Sequence, residues 1–281
     1  MLRRYTAAMR IAVIGHVEHV TIARVSALPR AGEIAHLADP VVIAGGGGGI
    51  AFFQLTKSDA EVHLFTAIGL DEAGTHVHHE IASTGATIHA GLRQLPHTRD
   101  IVVITPEGER TIFVVGEPLH PRRDDRLSWD ELASCDAAYF TGQDPDTLVE
   151  ARRAKLLVVT ARRQAALATS GVIADVVVGS AHDPREASAL SDYAVPPRAI
   201  VMTEGGAGGY VETAAGRERF AAPPVPSRTV GAYGAGDSFA GALTWYLARG
   251  LATAEACARA AEHGAAVLRG VNPLEQQLPL S

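Results

Sequence analysis

From residue 121 onward, short apolar runs alternate with helical stretches, and this alternation limits the fold more than any other feature. The runs have the length and composition of buried strands, and they lie at Ala137–Thr141, Leu156–Thr160, Val176–Gly179 and Ala199–Thr203. Strands that alternate with helices form a mostly parallel sheet with helices on both faces. The sequence therefore predicts an α/β fold.

The first 120 residues contain two further strands and two segments that depart from this rhythm. Arg10–Gly15 and Glu61–Gly69 are apolar runs that end in glycine and predict buried strands. Val17–Ile43 is interrupted by Pro29, Gly32 and Pro40, which predicts short strands and turns. Ile101–Thr105 and Thr111–Val115 flank a turn and predict a hairpin. The two irregular segments are expected to form a small separate sheet.

Composition excludes several classes of protein. The 281 residues carry a formal net charge of −6, and no Lys/Arg block stands out, so a nucleic-acid partner is not expected. No stretch approaches the roughly 18 apolar residues of a membrane span. The apolar run Ile11–Ile14 is too short for a signal peptide. Cys135 and Cys257 have no metal-ligand spacing and predict reduced thiols, so we expect a cytoplasmic protein.

A glycine-rich loop near the C-terminus is followed by an acid and an apolar helical pattern. Gly234, Ala235 and Gly236 precede a helix predicted at about Ser238–Arg249. Backbone N–H groups at a helix N-terminus can hold an anion. Asp237 beside such a site suits a general base that takes a hydroxyl proton during phosphoryl transfer. An ordinary first-turn acid after a flexible turn is the alternative interpretation.

Other short motifs are less informative. The chain contains neither GxxxxGK[ST] nor the dinucleotide fingerprint after its first strand. The Gly236–Phe239 string invites a serine-esterase interpretation, but no suitable Asp-x-x-His stands in the closing segment. The histidine-rich run His76–Glu80 lacks the HExxH spacing, and a solvated helix face is the better interpretation.

Taken in order, the motifs of the chain resemble those of the PfkB/ribokinase family of carbohydrate and nucleoside kinases. The resemblance extends over nearly the whole chain. One such motif is a weak indication, whereas the ordered set is specific. The matching segments are Pro29–Glu33 (P-x-x-G-E), the glycine run Gly45–Gly49, Gly69–Gly74 (G-x-D-x-x-G), Gly108–Thr111 (G-x-R-T), Met202–Gly209 (T-x-G-x-x-G) and Gly234–Gly241 (GAGD).

The resemblance implies a ribokinase-like architecture in one domain, residues 9–281, with a Rossmann-like sheet and a small β lid. The lid segments would be residues 16–44 and 88–118. A homodimer through the lid would be plausible for this fold. The expected ligands are ATP with Mg²⁺ and a sugar-like small molecule.

Site residues follow from the same resemblance. Asp237 would deprotonate the acceptor hydroxyl, and Gly234, Ala235 and Gly236 would form the anion hole. The remaining matches concern the nucleotide. Its phosphates and ribose would lie along Thr203, Gly205 and Gly208, and its adenine would border His263.

The chain departs from the family pattern at the acceptor end. Val20 stands where the family often has a sugar-gripping Asp, and Glu18 is expected to supply a polar contact instead. The glycine run lacks the usual Asn, so backbone groups at Gly45, Gly46 and Gly47 are expected to meet hydroxyl groups. This end of the pocket is expected to be less polar than in relatives, unless the backbone supplies those contacts.

Further departures concern charged groups. The N-x-x-E segment that organises magnesium corresponds at best to Ser180–Asp183, where Asp183 would hold metal-bound water. Gly231–Tyr233 replaces the segment that serves a monovalent cation, so potassium dependence is not expected. Arg162 follows a strand and either meets a phosphate or acidic group in the cleft or lies on the surface.

Two functions of different classes follow. The first is an ATP-dependent kinase that phosphorylates a hydroxyl of a sugar, polyol or nucleoside-like molecule. The second is a catalytically weak or inactive member that binds nucleotide or sugar as a sensor or structural partner. The retained GAGD motif favours the enzyme, and the altered N-x-x-E and cation positions favour the binder.

Overall fold

The computed structural model describes residues 8–224 and 229–281, and its strands form two sheets. The predicted domain, residues 9–281, includes residues 225–228, which lie outside the described ranges. The strands are β1 (Arg10–Ile14), β2 (Glu18–Arg24), β3 (Ala38–Gly45), β4 (Glu61–Gly69), β5 (Thr87–Arg93), β6 (Arg99–Ile104), β7 (Arg110–Val115), β8 (Ala137–Phe140), β9 (Leu156–Thr160), β10 (Val176–Ser180), β11 (Ala199–Thr203), β12 (Gly209–Thr213) and β13 (Gly216–Phe220).

The larger sheet has the order β13-β12-β11-β10-β9-β8-β1-β4-β5. Its strands are parallel except β12 and β13, which form an antiparallel hairpin at one edge. The predicted mostly parallel sheet is therefore confirmed. The α-helices are α1 (Gly46–Leu55), α2 (Glu72–Ala82), α3 (Pro145–Ala151), α4 (Gln164–Ser170), α5 (Ala235–Ala248), α6 (Thr253–Val267) and α7 (Pro273–Gln276).

Helices cover both faces of this sheet, and β1 shows why. Its side chains alternate between the two faces. Ile11 and Val13 pack in one apolar core with α1, α2, α5 and α6, whereas Ala12 and Ile14 pack in a second core with α3 and α4. Because both faces are buried, the strand is a continuous apolar run without polar alternation.

The smaller sheet has the order β3-β2-β6-β7 and forms the predicted lid. Its inner face packs with Ile50 of α1 and with Tyr233, which lies just before α5. The predicted hairpin is present as β6 and β7, joined by a turn in which Gly108 adopts a φ of +83°. The lid therefore rests on the segments that begin α1 and α5.

The second lid segment was expected to span residues 88–118, and its beginning lies elsewhere. Residues 88–93 belong to β5, which pairs in parallel with β4 in the larger sheet. The strand β4, the helix α2 and the strand β5 continue the alternating pattern of the main domain. The lid part of this segment begins only at β6, residue Arg99.

Within residues 8–224 and 229–281, none of the helices combines the length and apolarity that a membrane crossing requires.

Candidate active site

A cleft of about 1140 Å³ lies between the lid and the ends of the parallel strands. Lid strands β6 and β7 contribute one wall, and the carboxyl ends of β9, β10 and β11 contribute another. In open α/β sheets, ligands bind at this edge of the sheet. The volume exceeds the usual range of a single small-molecule pocket, so the cleft can hold two ligands.

The predicted anion loop lies in this cleft. Gly234 has a φ of +80°, and α5 begins at the next residue, so Ala235 and Gly236 are part of its first turn. A Cβ atom on Gly234 would lie 3.1 Å from Pro273 and 3.2 Å from Ile50. The left-handed backbone therefore favours glycine here, and a Cβ atom would in addition be tightly packed. The first N–H groups of a helix have no partner within it and can bind an anion.

Asp237 lies in the first turn of α5 and lines the cleft. Burial, followed by the nearby negative charge of Glu186, raises the pKa of its carboxyl group to about 6, although Arg110 and Arg162 oppose the rise. A pKa near the working pH suits a group that accepts and releases a proton. Gly47 faces this carboxylate, since a Cβ atom on Gly47 would lie 3.1 Å from Asp237 Oδ1.

Hydrogen bonds from backbone N–H groups to side chains hold the glycine run at the start of α1. Gly46 has a φ of +76°, and its N–H donates to the Tyr233 hydroxyl at 2.9 Å. The N–H of Gly47 donates to His16 Nε2 at 3.2 Å, and burial lowers the pKa of His16 to about 3, so the ring is neutral and accepts. Of the three glycines predicted to meet substrate hydroxyl groups, Gly46 and Gly47 line the cleft, whereas Gly45 lies behind them against Val20.

Glu18 and Asp100 form a buried carboxyl pair at the lid end of the cleft. They are only 6% and 4% exposed, and both line the cleft. Burial raises the pKa of both groups, and the negative charge of Asp100 raises that of Glu18 further. Both carboxyl groups therefore hold a proton more readily than isolated carboxyl groups do. The sequence analysis did not predict Asp100 as a site residue. A single acid in the largely apolar strand β6 is the sequence feature that could have indicated it.

The acceptor end is therefore more polar than the sequence suggested. Among the described residues, Asp100 Oδ1 is buried without a hydrogen-bond partner. Arg163, also missed from the sequence, lies in the cleft and donates from Nε to the carbonyl oxygen of Thr141 at 3.0 Å. These groups compensate for the apolar Val20, which packs in the core beneath the lid.

Arg162 lies in the cleft, which was one of the two positions considered for it, and it forms ion pairs there. Its Nη2 lies 2.5 Å from Asp183 Oδ2, and its Nε lies 2.5 Å from Glu186 Oε1. Glu186 also accepts a hydrogen bond from the backbone N–H of Ser180 at 2.9 Å. Glu186 was missed because it lies three residues beyond the segment compared with N-x-x-E.

Asp183, the predicted metal residue, thus shares its position in the cleft with a second carboxylate. Within the part of the chain that the structure describes, no group of three or more His, Cys, Asp or Glu side chains is placed to hold a metal ion. Asp183 and Glu186 could supply two carboxylates, which is a usual protein contribution to a magnesium–nucleotide site.

The loop that the sequence predicts to bind the nucleotide lines the opposite part of the cleft. Thr203 ends β11 and donates from Oγ1 to the carbonyl oxygen of Gly179 at 3.2 Å. Gly205 and Gly208 have φ values of +58° and +86°. A Cβ atom on Gly208 would lie 2.2 Å from the carbonyl oxygen of Phe220, so the loop and β13 approach too closely for any side chain.

His263 differs from its predicted position. It is 3% exposed, and its Nε2 lies 3.2 Å from the hydroxyl of Tyr246, in the interface between α5 and α6. It does not belong to the lining of the cleft. The side of α6 that reaches the cleft is rotated about the helix axis from His263. With Leu268, which follows the helix, it presents small and apolar residues, namely Ala261, Gly264, Ala265 and Leu268.

Comparison with known proteins agrees with this geometry. Residues 173–277 match the model of the pfkB family carbohydrate kinases. The search of curated proteins finds no match.

Solved structures share the fold over nearly the whole chain. The ribokinase of Thermotoga maritima has a TM-score of 0.77 at 16% identity and covers 96% of both chains. The adenosine kinase of Sinorhizobium meliloti has a TM-score of 0.77 at 17% identity and covers 98% of both chains. The Arabidopsis thaliana ribokinase complexed with ribose and ATP has a TM-score of 0.75 at 15% identity and covers 96% of both chains. The family model over residues 173–277 and the ribokinase-like fold over the rest therefore confirm that this chain resembles the PfkB/ribokinase family of carbohydrate kinases.

Proposed function

We propose that this chain is an ATP-dependent kinase that transfers the γ-phosphoryl group to a hydroxyl of a sugar, polyol or nucleoside-like molecule. One observation carries the proposal. Asp237 lies beside the anion-binding first turn of α5 and faces the glycine run across the cleft. A base and a phosphate site in contact are what phosphoryl transfer to an alcohol requires.

In the proposed mechanism, the acceptor lies against Gly46 and Gly47, and its reactive hydroxyl points to Asp237. The carboxylate takes the hydroxyl proton as the oxygen attacks the γ-phosphorus, and the bond from this phosphorus to the β,γ-bridging oxygen breaks, so that ADP leaves. The backbone N–H groups of Gly234, Ala235 and Gly236 face the charge that develops on the transferring group, which is the main source of catalysis in such reactions.

The nucleotide would enter from the other side of the cleft. Thr203, Gly205 and Gly208 would border its phosphates and ribose, and the small residues of α6 leave room for its base. Asp183 and Glu186 have the hard oxygen ligands that Mg²⁺ prefers, and an ion held there with the phosphates would neutralise their charge.

The carboxyl pair supports an acceptor with several hydroxyl groups. Asp100 Oδ1 is a buried acceptor atom without a protein partner, so a ligand hydroxyl that donates to it would satisfy it. A site that contains such an atom rejects molecules that lack the matching donor. We therefore expect polyols and sugars to bind better than simple alcohols of the same size.

ATP turnover with a panel of sugars, polyols and nucleosides tests the proposal. Stimulation by one acceptor, together with a phosphorylated product seen by mass spectrometry, would support the kinase. If ATP binds and no acceptor of the panel stimulates turnover, the sensor or structural role becomes the better explanation. Isothermal titration with each candidate separates a weak acceptor from a molecule that does not bind.

We expect the activity to be the same in potassium and tetramethylammonium salts at equal ionic strength. Gly231 and Ala232 have no side-chain oxygen, and the hydroxyl of Tyr233 already accepts the N–H of Gly46. Steady-state rates in the two salts measure the difference. Stimulation by potassium alone would show that backbone carbonyl groups of this segment bind the ion.

We also propose that the lid supports a homodimer through its outer face. One row across the four strands places Val42, Thr21, Ile101 and Phe113 side by side. Val42, Ile101 and Phe113 are 40%, 37% and 51% exposed, and exposed apolar side chains grouped on one face favour association. Phe113→Glu should convert a dimer to a monomer in light scattering. Leu92→Glu, an exposed position outside the lid, is the control, and a monomeric wild type would exclude this dimer.

A further inference from the structure

The ion pair made by Arg162 occupies the two carboxylates that a metal ion would use. Each carboxylate has one oxygen bound to the guanidinium and the other oxygen bound to a backbone N–H. Asp183 Oδ1 accepts from the N–H of Arg185 at 2.9 Å, and Glu186 Oε2 accepts from the N–H of Ser180 at 2.9 Å. The carboxylates are therefore held in place, and their other oxygens, Asp183 Oδ2 and Glu186 Oε1, both contact Arg162, while Asp183 Oδ2 also accepts from Arg185 Nη2 at 3.4 Å.

A divalent ion and the Arg162 guanidinium cannot both bind the Asp183 and Glu186 carboxylates directly. Arg162 lies 2.5 Å from both Asp183 Oδ2 and Glu186 Oε1. An ion bound directly by these carboxylates would use the two oxygens that Arg162 now contacts, since the other two accept backbone N–H groups. The two cations would also repel each other at this distance. Arg162 must leave the carboxylates before an ion can bind them.

The Arg162 side chain can move from its two carboxylates to another position in the cleft. Its side chain is 37% exposed and lines the cleft, and it lies near enough to Asp237 to lower the pKa of that carboxyl group. Guanidinium groups bind phosphate in a bidentate manner. Nucleotide phosphates in the cleft would therefore attract Arg162 away from its two carboxylates.

We propose that Arg162 is a resident cation that blocks divalent-metal binding at Asp183 and Glu186 until nucleotide phosphates draw it away. This inference rests on the proposed function, because it assigns the cleft to a nucleotide. It makes metal and nucleotide binding mutually dependent. By linkage, each ligand then raises the affinity for the other by the same factor.

Titration of the nucleotide-free protein with Mn²⁺, followed by electron paramagnetic resonance, tests the first part. Arg162→Met should bind Mn²⁺ about tenfold more tightly than the wild type, because one positive charge a few ångströms away is removed. Arg162→Lys keeps the charge without the fork and should lie between them. Adding Glu186→Gln to Arg162→Met should abolish the gain, and thermal melting checks that each variant is folded.

Arg185→Met is the matched control, because Arg185 also contacts Asp183, at 3.4 Å, but is 76% exposed. Its Mn²⁺ affinity should stay within about twofold of the wild type, as expected for a screened surface pair. The proposal is wrong if Arg162→Met binds Mn²⁺ no more tightly than the wild type. It is also wrong if both arginine variants gain equally.

Calorimetry with ADP, with and without Mg²⁺, tests the second part. The wild type should show a larger gain in ADP affinity on adding Mg²⁺ than Arg162→Met does, and an equal gain would contradict the coupling. These binding measurements do not depend on turnover. If no molecule of the panel acts as an acceptor, only the proposed kinase activity is overturned. If the protein is an active kinase but Arg162→Met binds Mn²⁺ no more tightly than the wild type, only the proposed role of Arg162 is overturned.

Discussion

Replacing Asp237 with Asn should lower kcat by about 10²- to 10⁴-fold, the range attributed to a positioned general base. The amide has nearly the same shape but does not take the hydroxyl proton. The KM for ATP should change little, because the anion loop beside it is retained. Steady-state kinetics of the purified variant, with the acceptor identified by the panel, measure both values. A variant that retains most of its kcat would exclude Asp237 as the base.

The pH profile separates the loss of a base from a folding defect. The pKa of Asp237 is raised to about 6, so the wild-type kcat/KM should fall about tenfold per pH unit below this value. The residual activity of Asp237→Asn should lack this acid limb. Because the folded state raises the pKa, the ionised carboxylate destabilises the protein above pH 6. The variant should therefore melt at the same or a higher temperature at pH 8.

Replacing Gly208 with Ala should have the second largest effect, on both stability and nucleotide binding. The new Cβ atom would lie 2.2 Å from the carbonyl oxygen of Phe220 and 2.8 Å from the nitrogen of Ala222, both of them backbone atoms. The φ of +86° adds strain of about 1–3 kcal/mol. We expect a lower melting temperature and an ATP affinity weaker by about tenfold or more, since 1.4 kcal/mol corresponds to a factor of ten.

Two neighbouring glycines provide matched controls for this experiment. Gly205 also has a positive φ, of +58°, but a Cβ atom there meets nothing within 4 Å. Gly206 has neither a positive φ nor a close neighbour. Gly206→Ala should resemble the wild type, and Gly205→Ala should show the backbone strain alone. If all three variants lose the same ATP affinity, the approach to Phe220 is not the cause.

Much of the fold was predictable because local patterns and tertiary structure agree in the main sheet. The apolar runs at β9 and β11 were predicted with the boundaries that the structure shows. β5 was missed because TIHAGLR is only partly buried at the sheet edge and contains polar residues. Edge strands lack the continuous apolar run that identifies central ones. The lid boundary was misplaced for this reason.

The site was predictable where function depends on the backbone. The GAGD loop and the glycine run need glycine for conformation and close approach, so their chemistry is visible in the sequence. Side chains that act in groups were harder to recognise. Asp100 pairs with Glu18 across adjacent strands, and Glu186 meets Arg162 from another loop, so only the folded chain brings them together. His263 was misassigned because neighbouring residues of a helix point in different directions, so that Gly264 lines the cleft and His263 is buried against Tyr246.

The two walls of the cleft come from different parts of the chain. Glu18, Gly46, Gly47 and Asp100 belong to the first hundred or so residues, whereas the nucleotide loop and α6 belong to the segment that matches the family model, residues 173–277. The family model thus matches the segment that carries the proposed nucleotide loop and Asp237, whereas the lid side of the cleft lies outside it. A chimera that exchanges residues 16–115 with a relative should exchange acceptor choice and retain ATP use. If the proposed function holds, the choice of acceptor is therefore set by residues of the first wall, which lie outside the segment that the family model matches.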